Sequence, residues 1–128
     1  MILGIGTDIV SIRRMALSLE RFGPRLCRRL VHEDECRECR ARVDVAACLA
    51  RRFAAKEALV KALGTGFRDG IRPRDIRVVH DALGRPAFRL EGGVARFVAR
   101  RQVARIHLSL ADEREYALAF VVLEGEAD

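Results

Sequence analysis

Tryptophan is absent from the sequence, and one Tyr and six Phe leave few rings on which unpaired bases could stack. Long apolar runs are missing too. The longest, such as Tyr116 to Leu123, fall far short of the roughly 20 residues that cross a bilayer, and Met1-Ile2-Leu3-Gly4 carries no basic leader segment. No membrane association is expected. Nor does any repeat, linker or low-complexity stretch divide the 128 residues, so one domain over 1–128 is expected, soluble and cytoplasmic.

Acidic residues are in deficit: 18 Asp and Glu face 24 Lys and Arg, a net charge of +6. Such an excess points to an anionic partner, whether a nucleic acid, a phosphorylated cofactor or an acidic protein. Cysteine is present, as Cys27, Cys36, Cys39 and Cys48 in one stretch. Cys36-Arg-Glu-Cys39 has the short gap of many zinc sites. The outer cysteines, however, each stand nine residues from the inner ones, with no second short-gap pair. The expectation is reduced cysteines packed as small hydrophobes.

Patterning along the chain predicts an α+β fold, with helices packed on one mainly antiparallel sheet. Met1 to Val10 reads as a strand ending in Thr7-Asp8-Ile9-Val10, its last turn carrying a carboxylate, and Ser11 caps a helix whose Ile12, Met15, Leu19 and Phe22 form a buried face. Arg14 and Arg21 share another face of that helix, which Gly23-Pro24 interrupts and restarts. Glu33-Asp34-Glu35 favours a further helix start, and Asp44 caps a long helix from Val45 to about Leu63, closed by Gly64. A hairpin of Ile76 to His80 with Ala87 to Leu90 and a basic helix from Val94 to Val103 follow. Ile106, Leu108 and Leu110 alternate with His107 and Ser109 on the next strand, and Tyr116 to Leu123 reads as a central, mostly apolar one.

Chemistry concentrates at the end of the long helix. Glu57 and Lys61 share one face, ordinarily a surface ion pair of little energy. Yet Lys61 precedes Gly64-Thr65-Gly66, and an ammonium beside exposed backbone N–H groups can hold phosphate. This is not a P-loop, since the glycines follow a helix and no Gly-Lys-Ser/Thr follows them. Asp8, at a strand end, could join Glu57 as the two carboxylates of one Mg²⁺, although a turn or capping role is the commoner use of such a residue. His107 is open to three readings: a base, a hydrogen-bond partner of a nucleotide, or a structural histidine.

Three blocks, Gly4-Ile5-Gly6-Thr7-Asp8-Ile9-Val10, Arg52 through Gly66, and His107-Leu108-Ser109-Leu110-Ala111-Asp112-Glu113, resemble the signatures of holo-acyl-carrier-protein synthases, in order and at matching spacing over nearly the whole chain. The resemblance implies a 4'-phosphopantetheinyl transferase-like fold and Mg²⁺-dependent transfer of phosphopantetheine from coenzyme A to a serine of apo acyl carrier protein, releasing adenosine 3',5'-bisphosphate. It implies Asp8 and Glu57 as metal ligands, Lys61 against the coenzyme A diphosphate, and Arg52, Gly64, Thr65, Gly66, Arg85, Pro86 and His107 near the same co-substrate. Arg85 stands where the family usually has lysine. Arg14, Arg21 and Arg25 resemble a carrier-docking surface, and a homotrimer with interfacial sites is implied. The rivals are a nucleic-acid-binding module and a zinc-stabilised interaction protein.

Overall fold

The computed structural model describes residues 1–127. In chain order it contains β1 (Ile2–Ser11), α1 (Ile12–Phe22), α2 (Pro24–Leu30), α3 (Glu33–Arg40), α4 (Val45–Leu63), a 3-10 turn (Pro73–Asp75), β2 (Ile76–His80), β3 (Pro86–Leu90), α5 (Gly92–Arg100), β4 (Val103–Asp112) and β5 (Tyr116–Gly125). The α+β architecture is the expected one. β5 is central in an antiparallel sheet ordered β1-β5-β4, while β2 and β3 form a hairpin of their own beside it. The basic helix runs from Gly92 to Arg100, ending short of Val103 because Gln102 turns the chain with φ of 57°.

Capping follows side-chain chemistry. Ser11 Oγ accepts from the Arg14 N–H at 3.1 Å and Asp44 Oδ1 from the Ala47 N–H at 3.0 Å. At α3 the cap is His32, whose Nδ1 accepts from the Asp34 N–H, while Glu35 Oε1 accepts from the His32 N–H, each at 3.0 Å. Helix α4 is buried nearly all round, and its alanines let neighbours approach closely. β1 lies so near it that a Cβ on Gly4 or Gly6 would overlap the carbonyl oxygens of Ala62 or Ala58.

The sheet has two unlike faces. Ala117, Ala119, Val121 and Leu123 point inward and are fully buried, whereas Ile5, Ile9, Leu118 and Phe120 point outward and are exposed. A second apolar cluster joins α1, α2, α3 and the start of α4, and it contains all four cysteines. There the reading of reduced cysteines is corrected. Cys27 is bonded to Cys36 and Cys39 to Cys48, with Cα atoms 5.8 and 5.4 Å apart, so the stretch folds as a stapled helical unit. Cys36 and Cys39 therefore face different partners and do not share a metal. The buried face of α1 also stops earlier than expected: Ile12 and Met15 are buried, but Phe22 is exposed, with the Arg21 guanidinium 5.2 Å over its ring.

Candidate active site

Strand pleat and helix packing decide which side chains meet. Asp8 pairs in register with the inward-facing Ala119, so it points toward α4. There Lys61, one turn from the helix end, places Nζ 2.8 Å from Asp8 Oδ1 and 3.1 Å from the Thr7 carbonyl oxygen. Glu57, one turn earlier, lies close enough to feel both charges. Burial and then the Asp8 carboxylate push its pKa above the ordinary value, while Lys61 pulls the other way. The hydrogen bond that Lys61 donates to Asp8 raises the lysine's pKa.

These groups line a cleft of about 510 Å³. Its polar lining is Asp8, Glu57, Lys61, Ser11 and Arg14, and its apolar lining includes Met15, Leu26, Leu30 and Phe53. Arg14 thus belongs to the cleft itself. Arg21 and Arg25 lie exposed further along, Arg25 beside a separate groove with Phe22 and Leu26. Asp8 and Glu57 share the cleft with Lys61 and Arg14, so the two signs balance, and two protein carboxylates are a common complement for Mg²⁺, which fills its other positions with water and phosphate oxygens. Among the described residues no set of three or more His, Cys, Asp or Glu is grouped for a metal, so a closed all-protein cage is not the pattern. The donor set at Asp8 and Glu57 fits the hydrated ion.

The glycine turn behaves differently from the expectation. Gly64 is a left-handed cap with φ of 79°, its N–H donates to Lys61 O, and the N–H groups of Thr65 and Gly66 both donate to Val60 O. The backbone donors supposed to face phosphate are spent on closing α4. Thr65 Oγ1 is buried without a partner.

A second cleft, of about 330 Å³, gathers Arg42, Arg51, Arg52, His80 and Gly84. Arg52 is 4% exposed, with Nη1 2.7 Å from Glu38 Oε1; Arg85 follows Gly84 in the hairpin turn, and Pro86 opens β3. His80, which showed no companion in the sequence, sits among guanidinium groups; burial, then Arg52, Arg42 and Arg51, lower its pKa. Contacts across α4 and the hairpin are long-range, and only the density of arginine around residues 40 to 52 hinted at them. His107 is elsewhere again: it is on the outward sheet face, with Nε2 2.9 Å from Glu124 Oε1. Asp8 and His107 thus occupy opposite faces of one sheet.

A fold of this kind, with paired carboxylates and a lysine at the seam of a strand and a buried helix, defines a phosphopantetheinyl transferase; the 4'-phosphopantetheinyl transferase superfamily model matches residues 4–121. Within that superfamily the chain belongs to the holo-acyl-carrier-protein synthases. It is 52% identical over 123 residues to the holo-acyl-carrier-protein synthase of Halorhodospira halophila, covering 96% of this chain and 98% of that one. The crystal structure of the synthase from Neisseria meningitidis superposes with a TM-score of 0.91 at 41% identity, over 97% of this chain and 99% of that one. The Bacillus anthracis synthase, solved in complex with CoA (3',5'-ADP), has a TM-score of 0.79 at 33% identity, over 98% and 99%.

Proposed function

We propose that this synthase carries out Mg²⁺-dependent transfer of 4'-phosphopantetheine from coenzyme A to a serine of an apo acyl carrier protein of the fatty-acid type, releasing adenosine 3',5'-bisphosphate. The observation that carries the reading is the convergence of Asp8, Glu57 and Lys61 in one cleft. The serine oxygen forms a bond to the phosphorus that bears pantetheine, and the bond from that phosphorus to the bridging oxygen of the diphosphate breaks. Glu57, whose carboxylate lines the cleft beside Asp8 and Lys61, is suited to take the serine proton on a carboxylate oxygen. Lys61 faces the negative charge that develops on the leaving phosphate. Asp8 and Glu57 would hold Mg²⁺, which supplies charge neutralisation and orientation of the diphosphate when bound.

The apolar wall of Met15, Leu26, Leu30 and Phe53 suits the pantetheine arm. Arg52, in the wall of the arginine-rich cleft, and Arg85, next in the chain to its lining residue Gly84, are suited to the phosphorylated nucleotide end. A homotrimer reconciles the remaining residues. Asp8 and His107 cannot share a site within one subunit, but a neighbour packed on the exposed Ile5, Ile9, Leu118 and Phe120 could bring its own sheet edge to the cleft. A cytoplasmic location fits an enzyme that uses coenzyme A, and the paired cysteines would there face a reducing milieu. The nucleic-acid reading leaves Asp8 and Glu57 without a task.

The test is incubation of the protein with coenzyme A, Mg²⁺ and an apo carrier. The carrier should gain the mass of one phosphopantetheine arm while adenosine 3',5'-bisphosphate appears in equal amount, and chelation should stop both. Transfer that is indifferent to chelation contradicts the metal role.

A further inference from the structure

Three charged side chains are buried among the described residues: Glu35, Arg52 and Lys56. Lys56 and Glu35 are fully buried, and every proton of the ammonium has an acceptor. Nζ donates to Glu35 Oε1 at 2.6 Å, to the Ile76 carbonyl at 2.6 Å and to the Pro73 carbonyl at 2.9 Å. Glu35 in turn accepts from the Val78 N–H at 3.1 Å through Oε2 and from the His32 N–H through Oε1. Arg52, one turn before Lys56 on α4, places Nη1 2.7 Å from Glu38 Oε1, 3.7 Å from Glu35 Oε2 and 3.5 Å from the Val78 carbonyl.

A buried ion pair is often no more stabilising than an apolar pair of the same volume, so stability alone gives weak reason for this one. Its connections are more informative. Ile76 and Val78 of β2 are tied to α4 by these three side chains. α4 and the β2–β3 hairpin are the two walls of the cleft lined by Arg42, Arg51, Arg52 and His80. We propose that Glu35 and Lys56 are positioning residues for coenzyme A: they fix the Arg52 guanidinium and the hairpin that carries Arg85 at the spacing that receives the phosphorylated nucleotide. This rests on the reading that Arg52 contacts that end of the co-substrate.

Steady-state kinetics of Lys56→Met/Glu35→Gln, which removes both buried charges together, compares the KM for coenzyme A with that for the carrier. We expect the coenzyme A KM to rise about tenfold, the cost of a misplaced charged hydrogen bond, and the carrier KM to stay within about twofold. Adding Arg52→Ala to this double variant should raise the coenzyme A KM no further, although Arg52→Ala alone raises it in the wild type. If the double variant keeps the wild-type coenzyme A KM while Arg52→Ala alone raises it, the positioning role is wrong and the site stands. Should Arg52→Ala itself have no effect, the reading beneath the proposal fails and the proposal with it. Equal rises in both KM values indicate general loosening and also overturn it. If the double variant does not fold, Glu35→Asp, which keeps the charge and shortens its reach, carries the same comparison.

Discussion

Lys61 is held by Asp8: Nζ sits 2.8 Å from Oδ1 across the seam between α4 and β1. Sequence spacing offered Glu57 as the partner, because residues four apart on a helix are neighbours. The strand supplies a nearer one. Glu57 is thereby left with a raised pKa beside a second carboxylate, an arrangement that costs stability and is useful to a cation or a proton.

The first prediction follows from that cost. Asp8→Asn or Glu57→Gln should lower the transfer rate by about 100-fold or more. Because the folded-state pKa of Glu57 is raised, its ionised form is disfavoured by folding at neutral pH, so Glu57→Gln should leave Tm unchanged or slightly higher. Rate assays and thermal melts of both variants decide it. A variant of near wild-type rate sinks the assignment.

Local signals made most of the fold legible. Ser11 and Asp44 announced their helices by capping chemistry, and the alternation of residues 106 to 110 separated inward from outward positions. The site was legible only as types. Asp8, Glu57 and Lys61 stood out, but that Asp8 would claim Lys61 depends on the strand lying against α4, which two glycines permit. Glu35 and Lys56 escaped notice, since a buried charge looks like a surface one until its partner, 21 residues away, is placed. The cysteine pairing escaped for the same reason: equal spacings of nine gave no hint that α2, α3 and α4 would bring each pair within bonding reach.

Those pairs make a second prediction. Each bridge closes a short loop, worth about 2.5 kcal/mol through the entropy of the unfolded chain. Protein purified without reductant should show no reactive thiol, and reduction of both bridges should lower Tm by roughly 20 °C. Four titratable thiols in the native, unreduced protein would mean that the helical unit holds by packing alone.

Lys56 gives a pH dependence. Burial brings its pKa down from 10.5 to about 8, against the opposing pull of Glu35. Between those values the unfolded chain binds a proton that the folded chain has released, so the group's contribution to stability rises with pH across that window and is flat below it. Denaturant unfolding of the wild type and of Lys56→Met/Glu35→Gln at pH 7.5, 9 and 10 should show the difference moving in favour of the wild type by order of a kcal/mol. A constant difference contradicts the burial of a charged lysine.

The outward sheet face predicts assembly. Phe120→Lys puts a solvated charge among Ile9, Leu118 and their neighbours. Light scattering should show a trimer for the wild type and smaller species for the variant, with activity lost and the far-UV spectrum retained. A monomeric wild type of full activity contradicts the shared site.

Carrier choice is the last prediction. Arg14 and Arg21 stand seven residues apart on α1, about two helical turns, so both project to one side while Ile12 and Met15 face the core. Arg14 reaches the wall of the Asp8 cleft, and Arg21 lies further out over Phe22. Gly23, with φ of 60°, breaks the helix before Arg25, yet Arg25 remains exposed beside the Phe22 groove. A stripe running from the reaction site outward in this way suits an elongated acidic partner whose reactive serine must enter the cleft. Such rim charges act mainly on encounter and are screened by salt. Arg21→Glu should raise the carrier KM roughly five- to tenfold, leave the coenzyme A KM nearly unchanged, and do so less at high ionic strength, where the wild-type carrier KM rises toward that of the variant, whereas Arg14→Glu, in the wall of the Asp8 cleft, should raise both KM values. Equal damage to both KM values by Arg21→Glu would place the defect in the fold, and an unchanged carrier KM would place the docking surface elsewhere.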